Sequence, residues 1–229
     1  MPDPTAPGPA PTVQAPTVQA PTVQAPTAQA HTPHDQTAPG HTVLADPELA
    51  DPELADPELA PTVLATVVDT PIGPLSLLAQ GGRLIAGGFT ADPAVMHARL
   101  SPPLRALRLE SAGPGQLPWL VTPLTAYFDG DLRALDAIRV YQPGPPSRQR
   151  LWAALRAVPP GRTLSYTQLA AEAGNPRAPR AAGAACAYNL VAPVVPCHRA
   201  LRSDGSLGGY YYGLDRKTWL LCHEGARPE

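Results

Sequence analysis

The sequence predicts an α+β protein: a small antiparallel-sheet domain, then a helical domain containing a helix-turn-helix, preceded by a disordered tail. Three observations predict it. Residues 63–89 alternate short apolar runs with Gly/Pro turn signals. Residues 148–158 place apolar side chains at 151, 152, 155 and 158, the stripe of a helix. Residues 1–61 repeat two pentapeptides and contain no aromatic residue from which to build a core.

The tail comes first. PTVQA occupies 11–15, 16–20 and 21–25, PTAQA follows at 26–30, and DPELA occupies 46–50, 51–55 and 56–60. A proline every fifth residue breaks both helical and ladder hydrogen bonding, so residues 1–61 are expected to be disordered and to lean toward polyproline II. A spacer or partner-binding arm is conceivable for them, but a tail without function is the simpler expectation.

Residues 62–142 form the expected first domain. VLATVVDT (63–70) reads as a strand, PIGP (71–74) as a turn, LSLLAQ (75–80) as a second strand, GGR (81–83) as a turn and LIAGGF (84–89) as a third strand. Helices are expected near 93–100 and over 117–128, the latter stopping at Asp129-Gly130. With no Cys and a single His, His97, this part is not expected to carry chemistry. A connector over 134–147 contains the Pro-Gly-Pro-Pro run 143–146.

The second domain, 148–229, opens with the striped helix and a PPGRT stop (159–163). Ser165, with Gln168 three residues later, fits a capping box and predicts a short helix over 166–173. Gly174-Asn175-Pro176 makes a tight turn before a third helix, 178–188. Two short helices around such a turn read as a helix-turn-helix. The second helix, APRAAGAACAY, is made almost wholly of small residues, which suits either bundle packing or close approach to a groove.

Charge is unevenly spread. The tail holds eight Asp/Glu and no Lys or Arg. Residues 62–147 are balanced, whereas residues 148–229 hold 11 Lys/Arg against five Asp/Glu, a net +6. A basic domain suits a polyanion such as nucleic acid, although an Arg-rich solvated surface would look the same. MPDPTAPGPA has no basic stretch and no apolar core, so no secretory signal is read there, and no run approaches the ~18 apolar residues of a membrane span. Three cysteines (Cys186, Cys197 and Cys222) without an export signal point to a reducing, cytoplasmic setting rather than a disulfide framework. No C-x-x-C occurs, and all three lie in the last 44 residues, which argues against a cysteine zinc site.

The chemistry gathers around VAPVVPCHRA (191–200). Pro193 and Pro196 stiffen the approach and put Cys197 at the end of an apparent buried strand. Cys197 and His198 are adjacent, and neighbouring side chains on an extended chain point opposite ways, so a direct Cys–His dyad is excluded and a water or hydrogen-bond relay is required. A third group must orient the imidazole, and Glu224 in HEG is a candidate. On residue type alone a lone Cys is more often a small core residue than a nucleophile, and periodicity does not decide between them.

VVPCHRALRSDGSLGGYYYGLDRKTWLLCHEG (194–225), together with SYTQLAAEAGNPRAPRAAGAACAYN (165–189), resembles the O6-alkylguanine-DNA alkyltransferase family in both motif and spacing, without a gap from Tyr166 to Glu224. The likeness spans about residues 62–227 and is strong from 148 onward. It implies a ribonuclease-H-like first domain and a winged helix-turn-helix second domain. The implied activity is single, irreversible transfer of an alkyl group from O6-alkylguanine, and O4-alkylthymine in some cases, to Cys197. The partner is double-stranded DNA entered from the minor groove, with the base flipped out. The expectation is of a monomer in the cytoplasm, at the nucleoid, with no cofactor, no metal and no membrane.

The resemblance also implies roles. Cys197 is the alkyl acceptor, His198 takes its proton through a water, Glu224 orients His198, and Asn189 braces the cysteine loop. Tyr166 contacts the guanine, Arg180 fills the hole left by the extruded base, the main chain of Cys197 and Ala200 reads the guanine edge, and Tyr210 walls the pocket. Ala178, Ala181 and Gly183 pack in the minor groove. Four departures from the family pattern stand out: Leu190 replaces Pro after Asn189, Pro179 precedes Arg180, Ala182 interrupts R-A-V-G, and Tyr212 sits where some members have Gly. Two other readings compete. One is a non-enzymatic alkyltransferase-like lesion binder, which would lack the cysteine. The other is a sequence-specific repressor, which would need polar base-reading side chains on 178–188.

Overall fold

The computed structural model describes residues 62–113 and 115–226. The tail expected to be disordered, 1–61, lies outside the described residues. Strands β1 (Thr62–Val68), β2 (Leu75–Gln80) and β3 (Arg83–Gly88) form the expected antiparallel meander. Their side chains alternate between two apolar layers, as the period of two demands. Leu75, Leu77 and Ala79 face the main core, while Val63, Ala65, Leu78 and Ile85 face a smaller one beneath α1 (Pro93–His97) and α2 (Pro102–Arg105).

The sheet is mixed rather than antiparallel, which corrects the sequence expectation. A fourth strand, β4 (Arg108–Ser111), adds to the far side of β1 in parallel, giving the order β3-β2-β1-β4. β4 pairs through its backbone with Arg108 and Glu110 directed outward, the composition of a protected edge. It therefore carries no apolar alternation to reveal it.

The long helix α3 (Pro118–Phe128) buries Leu120, Leu124 and Tyr127 against the main core. α4 (Pro146–Ala157) buries the anticipated stripe, and its Trp152 Nε1 donates to Ala185 O at 2.9 Å, tying α4 to α6. α5 (Tyr166–Glu172) opens with both halves of the capping box formed between Ser165 and Gln168. After the turn, α6 (Pro179–Ala187) begins with Pro179 at its first position, where the missing N–H costs nothing. α7 (Leu214–His223) closes the core with Leu220. A short parallel pair, β5 (Leu164–Ser165) with β6 (Ala200–Leu201), links the start of α5 to the chain just beyond Cys197.

Residues 191–196 do not form a strand, contrary to the sequence reading. They run through turns into a single 3-10 turn, Cys197–Arg199. Burial, not pairing, explains their apolar run, and periodicity cannot separate the two. What fixes this segment is the open edge of β3. Gly87 N–H donates to Leu190 O at 2.7 Å and Gly87 O accepts from Ala192 N–H at 3.0 Å, while Leu84 pairs in the same way with the connector at Arg139 and Tyr141. Gly87 allows this approach, because a Cβ there would lie 2.9 Å from Ala192 O.

Gly87→Ala should therefore push residues 190–192 off the sheet. A loss of about 1–3 kcal/mol is expected in urea unfolding, and an unchanged midpoint would show that the edge pairing is dispensable.

Candidate active site

Cys197 Sγ opens onto a cavity of about 340 Å³ also lined by Tyr166, Gly183, Cys186, Asn189 and Tyr210–Tyr212. The 3-10 turn aims the sulfur at this space and sends the His198 and Arg199 side chains into the protein behind it, where all three residues are buried. Asn189 is the brace. Its Nδ2 donates to Val195 O at 2.7 Å and to Cys197 Sγ at 3.1 Å, and its Oδ1 accepts from Val191 N–H at 3.0 Å. Where a proline at 190 would carry no N–H, the Leu190 N–H donates to Gln142 Oε1, so this departure leaves the loop anchored.

Behind the sulfur lies a buried polar cluster centred on the Glu224 carboxylate at the end of α7. Oε1 accepts from His198 Nε2 at 3.0 Å, Arg199 Nη2 at 2.7 Å and Tyr127 Oη at 2.8 Å, and Oε2 accepts from Arg199 Nε at 2.8 Å. Arg199 Nη1 also donates to Val158 O at the end of α4. Burial pushes the Glu224 carboxyl up, but hydrogen bonds and charge from His198 and Arg199 outweigh it and hold the group well below the usual carboxylate range. It is therefore ionised and acts only as an acceptor, which fixes the histidine tautomer. Nε2 must carry the proton, and Nδ1 presents a lone pair. Nδ1 is buried with no partner among the described residues.

Burial lowers the His198 pKa from the ordinary imidazole value, against the raising effect of Glu224 and with further lowering from Arg199 and Lys217. The ring is thus neutral at rest. Burial raises the Cys197 thiol, partly offset by the Asn189 hydrogen bond and by Lys217. Sulfur and imidazole therefore rest as a neutral pair, with a base available and a thiolate formed only when the proton leaves.

The other anticipated residues fall into two groups. Tyr166, Gly183 and Tyr210 line the cavity with Cys197 and Asn189. Tyr166 is the first residue of α5, and its hydroxyl abuts Gly208, where a Cβ would lie 2.9 Å away. Burial raises the phenols of Tyr166 and Tyr210, and the Tyr210 hydroxyl is buried without a partner among the described residues. Arg180 and Ala181 are exposed on the first turn of α6, outside the cavity, and Ala178 caps that helix. Ala200 is buried, its N–H bonded to Cys197 O and its carbonyl accepting from Lys217 Nζ at 2.7 Å.

Several residues were not anticipated. Tyr127 brings the sheet-bearing part of the chain into the cluster, correcting the expectation that this part carries no chemistry. Its stripe with Leu120 and Leu124 reads only as core. Arg199 and Lys217 both stand inside the quoted motifs, yet nothing in their spacing shows that they turn inward. Lys217 is fully buried, donates to Ala200 O and Leu207 O, and is lowered to about 8 by burial against the opposing pull of Cys197 and Cys186. Burial as small core residues, the ordinary state of a cysteine, does not describe Cys186 and Cys222. Cys186 instead lines the cavity and Cys222 is exposed, because α7 turns 217, 220 and 221 inward.

Removing donors from Glu224 should destabilise in a graded way. Tyr127→Phe is expected to cost about 1.5–3 kcal/mol, a hydrogen bond to a charge. Arg199→Leu, which leaves the carboxylate without its cation, should cost about 3–5 kcal/mol. Equal losses in urea unfolding would contradict the assigned geometry.

A family model described as the 6-O-methylguanine DNA methyltransferase DNA-binding domain matches residues 146–226. The methylated-DNA–protein-cysteine methyltransferase of Salmonella typhimurium is 44% identical over 118 residues, 52% of this chain and 67% of that protein. The protein of the same name from Mycobacterium tuberculosis is 36% identical over 163 residues, covering 70% of this chain and 91% of its own. The crystal structure of Mycobacterium tuberculosis OGT in complex with DNA superposes with a TM-score of 0.60 at 33% identity, over 71% of this chain and 93% of that one. The four-stranded mixed sheet and seven α-helices described here share that α+β fold. With 36–44% identity to such relatives, this chain belongs to the methylated-DNA–protein-cysteine methyltransferase family.

Proposed function

We propose that this protein repairs O6-alkylguanine in double-stranded DNA by moving the alkyl group onto Cys197, once per molecule and irreversibly. One observation carries the reading. A cavity-facing sulfur, held by an amide donor, is backed by a neutral imidazole with a free lone pair and a pinned Nε2–H.

The step balances without cofactor or metal. The thiol proton passes through one bridging water to His198 Nδ1, and Nε2–H stays on the Glu224 carboxylate, which stabilises the imidazolium. The thiolate displaces guanine at the alkyl carbon. An S–C bond forms, the C–O6 bond breaks, and its electron pair leaves with the base. Tyr166, whose phenol burial keeps protonated, donates a hydrogen bond to the departing guanine. The thioether has no leaving group that the chain could expel, so the protein is consumed.

The reactive carbon of a paired base lies within the stack, so the reading requires base flipping, at a cost of a few kcal/mol. α5 and α6 then serve as a winged helix-turn-helix, with 148–229 as the DNA-binding half and 62–142 as a ribonuclease-H-like half. The small residues Ala178, Ala181 and Gly183 suit entry into the minor groove, and exposed Arg180 suits the place of the extruded base. Cys197 borders the cavity and its main chain suits the guanine edge, whereas Ala200, fully buried and bonded to Cys197 and Lys217, supports that turn from behind. A monomer acting in the cytoplasm completes the reading.

Incubation with duplex DNA carrying O6-methylguanine should add one methyl to the Cys197 peptide, at one per chain, and Cys197→Ala should transfer none. Binding without a mass change would instead favour a lesion-binding role.

Because burial lowers His198, the transfer rate should hold level as pH falls through the usual imidazole value of about 6.5 and drop only below it. The same sign governs stability. His198 and Glu224 both bind protons less readily folded than unfolded, so their contribution is present above their ordinary values and lost on acidification. A rate that halves at or above pH ~6.5 would contradict this.

Tyr212 sets the size limit. Its ring lies edge-on to Phe89, Tyr210 and Tyr211, and its hydroxyl sits where Gly88 lacks a Cβ. O6-methylguanine should react well and O6-benzylguanine poorly, with Tyr212→Gly restoring the latter. Rapid inactivation of the unaltered chain by benzylguanine would refute the size limit.

A further inference from the structure

A second cavity, of about 420 Å³, lies between α1–α2, α4 and the end of α6, and nothing in the proposed reaction uses it. Its floor is apolar, built from Ile85, Leu100, Leu104, Trp152 and Leu190. Its polar edge holds Arg99, Ser101, Gln142 and Arg148, and no Asp or Glu lines it.

Two donor atoms of its lining residues are buried without a hydrogen-bond partner among the described residues, Gln142 Nε2 and Arg99 Nη1, the Arg99 guanidinium lying 4.0 Å over the Tyr211 ring. The Gln142 amide is oriented, since its Oε1 accepts from Leu190 N–H at 3.0 Å, so Nε2 is committed to donating. Arg148 lines the cavity, with its guanidinium 4.2 Å over the Tyr188 ring. Buried donors are rarely left unpaired, and two around one concavity mark the place of a ligand's acceptors.

We propose that this cavity binds an organic phosphate. Its oxygens would accept from Arg99, Arg148 and Gln142 while its organic part covers the apolar floor. Two guanidiniums and an amide supply more positive charge and more donors than a single carboxylate can use. The phosphate comes either from a free nucleotide or from the backbone of a strand passing the end of α6. Occupancy is within reach of the reacting sulfur. The two cavities share Ala187, and Gln142 holds Leu190, next to the Asn189 that donates to Cys197.

Thymidine 5′-monophosphate is titrated against the full chain by calorimetry and by tryptophan fluorescence, with Trp152→Phe as the optical control. Saturable binding near ~0.1–1 mM is expected, weaker for inorganic phosphate, and weakened about tenfold or more in Gln142→Glu and Arg148→Ala. Gln142→Glu keeps the side chain's shape and its acceptor, so it serves if Arg148→Ala is unstable. If the backbone is the source, the nucleotide is silent. The slope of log affinity for duplex DNA against log salt then falls by about one in Arg148→Ala. That arm rests on the proposed function; the nucleotide arm does not. The absence of both nucleotide binding and a slope change overturns the inference. Methyl transfer by the same samples separates that failure from a failure of the proposed function.

Discussion

A single ionised carboxylate, buried at the end of α7, is the constraint on which the site depends. Glu224 collects donors from α3, through Tyr127, and from the 3-10 turn, through His198 and Arg199, while Arg199 also ties to the end of α4. A buried charge is tolerated only when it is paired and fully hydrogen-bonded, so these elements can close only in one arrangement. Arg199 has a second effect. By neutralising the carboxylate it limits how far Glu224 can raise the histidine, and burial then keeps the ring neutral. The protein therefore stores a base rather than an ion pair, which suits the proposed single transfer, in which the thiol must await its substrate.

The sulfur's position has a separate origin. Residues 190–192 lie on the open edge of β3, Asn189 bonds both sides of the turn, and Lys217 holds the carbonyl of Ala200 beyond it. The cysteine turn is thus gripped from the sheet, from its own loop and from α7. Of these grips only Asn189 reaches the cavity side, where its amide donates to the thiol and the walls are Tyr166, Gly183, Cys186 and Tyr210–Tyr212. Structural restraint and chemical access are divided between two faces of one short turn.

Much of this was legible in the sequence, for particular physical reasons. Hairpins declare themselves through turn residues, the α4 stripe through its period, and the start of α5 through a capping box that forms in full. The Cys-His pair and its distant Glu were legible through motif and spacing. β4 was not, because an edge strand held by backbone bonds needs no apolar pattern. The buried run before Cys197 was misread as a strand because burial and pairing leave the same apolar signature. Tyr127, Gln142 and Gly87 were invisible because their roles arise from contacts across 48 to 105 or so residues of chain, where local pattern carries no information.

The central claim is that His198 rests as a neutral ring with its proton on Nε2. Long-range proton–nitrogen NMR correlation on chain labelled with 15N-histidine tests it most directly. Near neutral pH, His198 should show an unprotonated Nδ1 and a protonated Nε2, and Glu224→Gln should disturb that pattern. An imidazolium, or a proton resident on Nδ1, would contradict the account.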